Sequence, residues 1–109
     1  MLNPIQANIT INQGATFRRE FTCTNPETGA AIDFSGYTVD APLKDRHNSK
    51  TADFDWYIVA NKITITMTEE DNLLLTAASS YTHHYSVTAR HPTEPDYRIA
   101  EGKAMISAQ

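Results

Sequence analysis

Residues 31–45 read AIDFSGYTVDAPLKD, and this stretch decides the fold. Beyond Asp33-Phe34-Ser35-Gly36, the residues Tyr37, Val39, Ala41 and Leu43 fall on one side of an extended chain. Thr38, Asp40, Pro42 and Lys44 fall on the other. Successive strand side chains point to opposite faces, so the spacing predicts a strand over 37–44 with one face buried. Pro42 has no N–H to give to a ladder, which places this strand at a sheet edge or at a bulge. The Asp33–Gly36 segment reads as a corner between sheets. Phe34 pins it to the core, and Gly36 takes backbone angles that a side chain resists.

The period of two continues outward in both directions. Ala7, Ile9 and Ile11 alternate with Asn8 and Thr10. After the turn NQG at 12–14, Phe17, Arg19, Phe21 and Cys23 share a face opposite Arg18, Glu20 and Thr22. NPETG at 25–29 has the chemistry of a short loop that ends on a left-handed glycine. DRHNSKTAD at 45–53 is polar and aperiodic and reads as an exposed loop. FDWYIVANKITITM at 54–67 predicts two strands turning through AN and Lys62, with Ile63, Ile65 and Met67 inward and Lys62, Thr64 and Thr66 outward. TEEDNLLL at 68–75 is the helical signal, with Thr68 as N-cap ahead of an acidic first turn near 69–75. His83, Tyr85, Val87 and Ala89 resume the alternation. HPTEPD at 91–96 is a Pro-rich turn, and YRIAEGKAMIS is the final strand, with Gly102 marking a bulge. Seven to eight short strands and one helical turn make an all-β, antiparallel β-sandwich of immunoglobulin-like architecture. Residues 1–109 form one domain, with 1–6 as an N-terminal arm.

Composition narrows the function. The chain has 109 residues, 40% of them hydrophobic and 20% charged, which suits one globular domain with a real core. Its single cysteine, Cys23, excludes an intrachain disulfide. The net charge is −4 and Arg18-Arg19 is the only basic pair, so no basic face for nucleic acid is expected. MLNPIQANIT lacks the charged and apolar regions of a signal peptide, and no apolar run reaches the length of a membrane span. Asn-Ile-Thr at 8–10 matches a glycosylation acceptor, which carries little weight without such a peptide.

No catalytic motif emerges. His83 and His84 are strand neighbours on opposite faces, His91 follows across a turn and His47 lies in the polar loop, so three of them do not converge as a zinc site requires. Cys23 closes an apolar face and reads as a small core hydrophobe. Asp53 and Asp55 read as a solvated pair, and Glu69-Glu70-Asp71 as the negative start of a helix. Of the neighbours Trp56 and Tyr57, one faces in and one out. No cofactor is expected.

The ordered set ITINQGATFRREF, AAIDFSGYTVDAPLKD, KITITMTEEDNLLL and YSVTARHPTEPDYRIAEGKAMIS resembles the small immunoglobulin-like structural proteins of tailed bacteriophages. These are tail, neck and baseplate modules, including the N-terminal module of baseplate upper proteins. The shared pattern is a strand, QG-x-T-F, a glycine turn, D-L/F-S/T-G-Y/A-T, and a closing hairpin with a G-x-x-x-V/I strand. Ala15 and Phe34 depart from it in residue type. The resemblance implies a non-enzymatic virion building block, an adaptor or decoration at the tail, neck or fibre-attachment region. Its partners would be other virion proteins and further copies of itself, with no nucleic acid and no membrane. Contacts are expected on the 25–29, 45–53 and 91–96 loops, through Asn25, Glu27, Asp45, Arg46, His47, Asn48, Lys50, His91 and Glu94, and on the arm 1–6. Two other classes stand beside it: a carbohydrate- or receptor-binding sandwich using Trp56 or Tyr57, and a small metal enzyme using His83, His84 or His91.

Overall fold

The structure, a computed structural model, describes residues 4–25 and 27–108. Among the described residues the expected alternation sorts into ten strands and one helix. The strands are β1 (Ile5–Gln6), β2 (Ile9–Asn12), β3 (Phe17–Thr22), β4 (Thr38–Asp40), β5 (Pro42–Asp45), β6 (Lys50–Asp53), β7 (Asp55–Val59), β8 (Lys62–Met67), β9 (His83–Arg90) and β10 (Tyr97–Ser107), with helix α1 at Glu69–Asn72. A seven-stranded sheet runs β1-β10-β9-β5-β6, with β2 also on β10 and β4 also on β9. The second sheet is β3-β8-β7. The body measures 42 × 23 × 22 Å.

The stretch at 37–44 behaves as its pattern dictates. Val39, Ala41 and Leu43 are buried, while Thr38 and Asp40 are exposed. The strand divides in two without losing register: Asp40 faces Thr88 and Leu43 faces Tyr85, three residues on along both strands. Pro42 is the reason. The Ala41 carbonyl accepts from Phe54 N–H, and Asp45 N–H donates to Ser49, both on the β6 side. The intervening Pro42 therefore turns its backbone toward β9, where its missing N–H interrupts the ladder. Of the two places the sequence offered this strand, the edge is wrong, since β5 lies between β9 and β6 and β6 is the margin; an irregularity does fall beside Pro42, a register shift against β6 between Leu43 and Lys44.

Other expectations are corrected in the same way. The 45–53 segment is a hairpin whose second half is β6, not a loop throughout. The N-terminal strand is parallel to β10: Ile5 faces Ala100 and Ile9 faces Ala104 at one constant offset. Two of the expected arm residues, Ile5 and Gln6, are thus sheet; residues 1–3 of that arm lie outside the described residues, as does Pro26 of the 25–29 loop. The bulge in β10 lies between Arg98 and Ala100, not at Gly102. Gly102 is required for a different reason: a Cβ there would collide with the Ala7 carbonyl. The helix ends at Asn72 because Leu74 and Leu75 N–H groups return to Asp71 and Asn72, a tightening of the last turn. Leu73 and Leu74 consequently stay exposed and only Leu75 enters the core.

Between the sheets lie Ile9, Ile11, Phe21, Phe34, Leu43, Ile63, Ile65, Met67, Tyr85, Val87, Ile99 and Ile106, all buried. Each such side chain contributes about 1.5–3 kcal/mol on leaving water. The corner at 33–36 is built as read. Phe34 is fully buried with Tyr37 edge-on at 5.6 Å, Ser35 N–H and Oγ both reach Asp33 Oδ1, and Gly36 has φ 84°.

Candidate functional site

β7 is the margin of the smaller sheet, joined to β8 through Ala60-Asn61, with Ala60 at φ 54°. Across such a two-residue turn the flanking residues, Val59 and Lys62, exchange both backbone hydrogen bonds. Alternation then directs the N–H and C=O of Asp55, Tyr57 and Val59 toward β8, and those of Trp56 and Ile58 away from it. The ends of the strand agree: Phe54 N–H leaves β8 for the Ala41 carbonyl, and the Ala60 carbonyl accepts from Phe34 N–H. Among the described residues nothing pairs with the Trp56 and Ile58 backbone between these two crossings.

The side chains on this margin are apolar and accessible: Trp56 is 37% exposed, Tyr57 43% and Val59 62%. The pleat assigns Trp56 and Ile58 to the inner face, opposite Ile65 and Ile63, and Tyr57 to the outer face, opposite Thr64. So the expected in-and-out division holds by direction, yet Trp56 remains exposed because no strand lies beyond it. Thr64, read as outward and polar, is buried between its neighbours Tyr57 and Glu20 on that outer face. Arg18 Nε and Nη2 donate to the Tyr57 hydroxyl at 3.3 and 3.0 Å. That bond holds the Tyr57 phenol below its ordinary range, with Thr64 helping. Glu20 lies 3.7 Å from Arg18 and 3.9 Å from Lys62, so the outer face carries a short, solvent-screened charge row.

The residues expected to form contacts divide between the two ends of the body. Asn25 and Glu27 sit past the end of β3, beside the Ala60-Asn61 turn. Phe34 ties that turn to Tyr37 and Tyr97, and Tyr37 stacks on His91 at 4.9 Å, so His91 and Glu94 belong to the same end. Asp45, Arg46, His47, Asn48 and Lys50 lie at the other end, where Asp45 faces His83 at the start of β9. Several shape their own loops. Asn25 Oδ1 accepts from Glu27 N–H at 2.9 Å, and Asp45 Oδ1 accepts from His47 and Ser49 N–H at 2.8 and 3.1 Å. The Ser49 bond, countered in part by burial, leaves the Asp45 carboxyl below its usual range. His91 Nδ1 accepts from Thr93 and Glu94 N–H, each at 3.2 Å. Asn48 Oδ1 contacts His84 Nε2 at 3.1 Å, and Lys50 pairs with Asp53 at 3.0 Å.

The three histidines of the metal-enzyme reading, His83, His84 and His91, do not come together. His83 faces inward and His84 outward, while His91 is at the far end of β9. Among the described residues no three His, Cys, Asp or Glu side chains converge. Cys23 is buried, and burial pushes its thiol up to about 11, far from a nucleophile's range. An open cleft of about 370 Å³ on the outer face of the larger sheet is lined by Lys44, His84, Ser86, Arg98 and Glu101, with Arg98 already paired to Glu101 at 3.4 Å.

No family model matches the chain. No curated protein matches it either. Solved structures do: 72 chains match, among them one from the crystal structure of the titin M10–obscurin-like 1 Ig mutant complex. That chain is 10% identical with a TM-score of 0.50, and the match covers 100% of this chain and 93% of the other. At this identity the likeness establishes the immunoglobulin-like fold and nothing further.

Proposed function

We propose that the chain is a non-enzymatic structural module of a tailed-bacteriophage virion, an adaptor or decoration at the tail, neck or fibre-attachment region, working by protein–protein contact. The observation that carries the contact role is the β7 margin, where backbone groups of Trp56 and Ile58 lie open beside exposed Trp56, Tyr57 and Val59. Sheet margins left this apolar pair readily with another chain. The virion setting rests on the ordered motif resemblance, from the QG-x-T-F turn to the closing hairpin. Partners are then other virion proteins and further copies of this chain, and no cofactor enters.

A carbohydrate- or receptor-binding reading uses Trp56 or Tyr57 as its stacking platform. Their rings lie on opposite faces of β7, so either one would have to serve alone. The contact reading uses both. Immunogold electron microscopy of purified particles, with an antibody to this protein, tests it. Label at the tail, neck or fibres is the expected result. Particles without label, with the protein confined to the soluble lysate, would refute the virion role and leave glycan arrays as the next experiment.

A further inference from the structure

Several margins are open, and they are not equivalent. The β3 margin carries Arg18, Arg19 and Glu20, and the β6 margin carries Lys50 and Asp53 next to a register shift in its pairing with β5. Charges and irregularities of this kind discourage strand addition. β7 has one charge, Asp55, and three exposed apolar side chains. Its usable backbone is short as well, because Phe54 N–H and the Ala60 carbonyl are both committed within the chain. Among the described residues of this margin, Trp56 and Ile58 are those with both N–H and C=O open.

We propose that the occupant of this margin is a second copy of β7, paired antiparallel about a twofold axis through Tyr57. The inference rests on the contact role given above and names its partner. In this register Trp56 of one copy exchanges both backbone hydrogen bonds with Ile58 of the other, and the reverse, so both residues with a full open donor and acceptor are satisfied on each margin. An axis through Trp56 sets Ile58 against Phe54, whose N–H is already given to Ala41. An axis through Ile58 sets Trp56 against Ala60, whose carbonyl already accepts from Phe34. The open groups are thus complementary to themselves in one register.

The side chains fit the same register. Tyr57 meets its own copy across the axis at a non-hydrogen-bonded position, where side chains come closest. On the inner face Trp56 packs on the other copy's Ile58, covering the surface that β7 leaves bare. On the outer face Asp55 stands opposite Val59, and the Lys62 of that second copy lies next in the row, beside Val59. A carboxylate then approaches an ammonium across the seam, and no like charges stand opposite each other. The product is one six-stranded sheet, β3-β8-β7-β7-β8-β3, with both larger sheets on its inner face.

A cysteine scan of β7 tests this directly. The Cα atoms of a non-hydrogen-bonded pair lie about 4.5 Å apart, within the roughly 4.4–6.8 Å a disulfide spans. Tyr57→Cys should therefore form a disulfide dimer under mild oxidation, while Val59→Cys, displaced four residues from its own copy, should not. Buried Cys23 stays out of the reaction. Light scattering should give a dimer for the unmodified chain and a monomer for Tyr57→Lys, with the thermal melt of the monomer still cooperative. An unmodified chain that is monomeric, or a Tyr57→Cys chain that links no faster than Val59→Cys, overturns the proposal. If labelled particles accompany a monomeric chain, the self-pairing fails while the virion role stands. If a dimer forms but particles stay unlabelled, the virion role fails and the pairing stands.

Discussion

The Tyr85 hydroxyl donates to the Ala7 carbonyl at 2.6 Å, across 78 residues of sequence. Ala7 lies in the gap between β1 and β2, where the parallel ladder with β10 lapses. Its carbonyl can lean over the sheet because Gly102, directly opposite Tyr85, has no side chain there. One hydroxyl thus satisfies the half-buried carbonyl that the interrupted strand leaves over, and Tyr85 itself is 2% exposed.

Tyr85→Phe keeps the ring and removes the donor. The orphaned Ala7 carbonyl then costs about 1–3 kcal/mol. Urea unfolding should show a lower midpoint with an unchanged slope. Gly102→Ala forces the same carbonyl aside and should cost about as much or more, since overpacking runs to about 1–3 kcal/mol before backbone is moved. The double variant should lose less than the sum, because both act on one carbonyl.

Asn72 is the hub of the other end. Fully buried, it accepts from Gly14 N–H at 3.0 Å through Oδ1 and donates through Nδ2 to Ala15 O at 2.6 Å and Asn12 O at 3.4 Å. Asn72→Ala strands the Gly14 N–H and the Ala15 carbonyl, whereas the Asn12 carbonyl keeps the Ala15 N–H. A loss of about 1–3 kcal/mol is expected, since the exposed Ala15 carbonyl can turn to water. Amide exchange should accelerate most at Gly14, whereas a merely local effect on α1 would leave Gly14 protected.

Cys23 sets an alkaline limit. Burial pushes its thiol up to about 11 from the ordinary value of 9.0, so between these values the unfolded chain loses a proton that the folded chain keeps. Stability from this group is complete below pH 9 and is lost as pH rises toward 11. About two pKa units correspond to roughly 2–3 kcal/mol. Denaturation at rising pH should show this loss in the native sequence and not in Cys23→Ala, measured as a difference from each protein's own neutral value. Ellman's reagent should leave the folded chain unreacted.

At the 45–49 hairpin tip the acid side works in the opposite sense. Burial lowers the His83 pKa, against an opposing pull from Asp45, and the Ser49 amide lowers that of Asp45. Each group binds protons more readily when unfolded, so each contributes stability that is lost as pH falls, His83 from its ordinary range downward and Asp45 below it. Proton NMR at decreasing pH should show the His83 ring protonating below its ordinary value of 6.5. His83→Gln should flatten the decline in stability from pH 6.5 downward.

How legible the fold was depends on how far each cause lies along the chain. Leu43, Val87 and Ile63 announce their burial by local alternation, and Phe34 and Gly36 announce the corner by residue type. Thr64 does not: it is dry because Tyr57 and Glu20 flank it from other strands. Gly102 is read as a bulge from its neighbours, while its real cause is Ala7, which arrives from the far end of the sequence. The parallel pairing of β1 and β2 has no local signature for the same reason. The β7 margin is hidden more thoroughly, because DWYIV has one pattern whether or not a strand lies beyond it. Loops, being polar, drew attention instead, and the structure places them at two separate ends.

The tyrosines allow a last test of the β7 surface, made at a dilution at which the chain is monomeric. Arg18 lowers the Tyr57 phenol by stabilising its charged form, whereas burial raises Tyr85 and Tyr37, the latter aided by the neighbouring Tyr97 hydroxyl and the acids Glu94 and Asp96. In an alkaline titration followed by tyrosine ring NMR, Tyr57 should ionise before Tyr37 and Tyr85. Arg18→Ala should move Tyr57 up toward its ordinary value and leave the other two in place. Both partners are exposed and screened by solvent, so the same substitution should leave stability nearly unchanged. If Tyr57 titrates with the others in the native sequence, Arg18 does not hold its hydroxyl in solution. The ring would then be free to reorient on the margin where it is proposed to meet its copy.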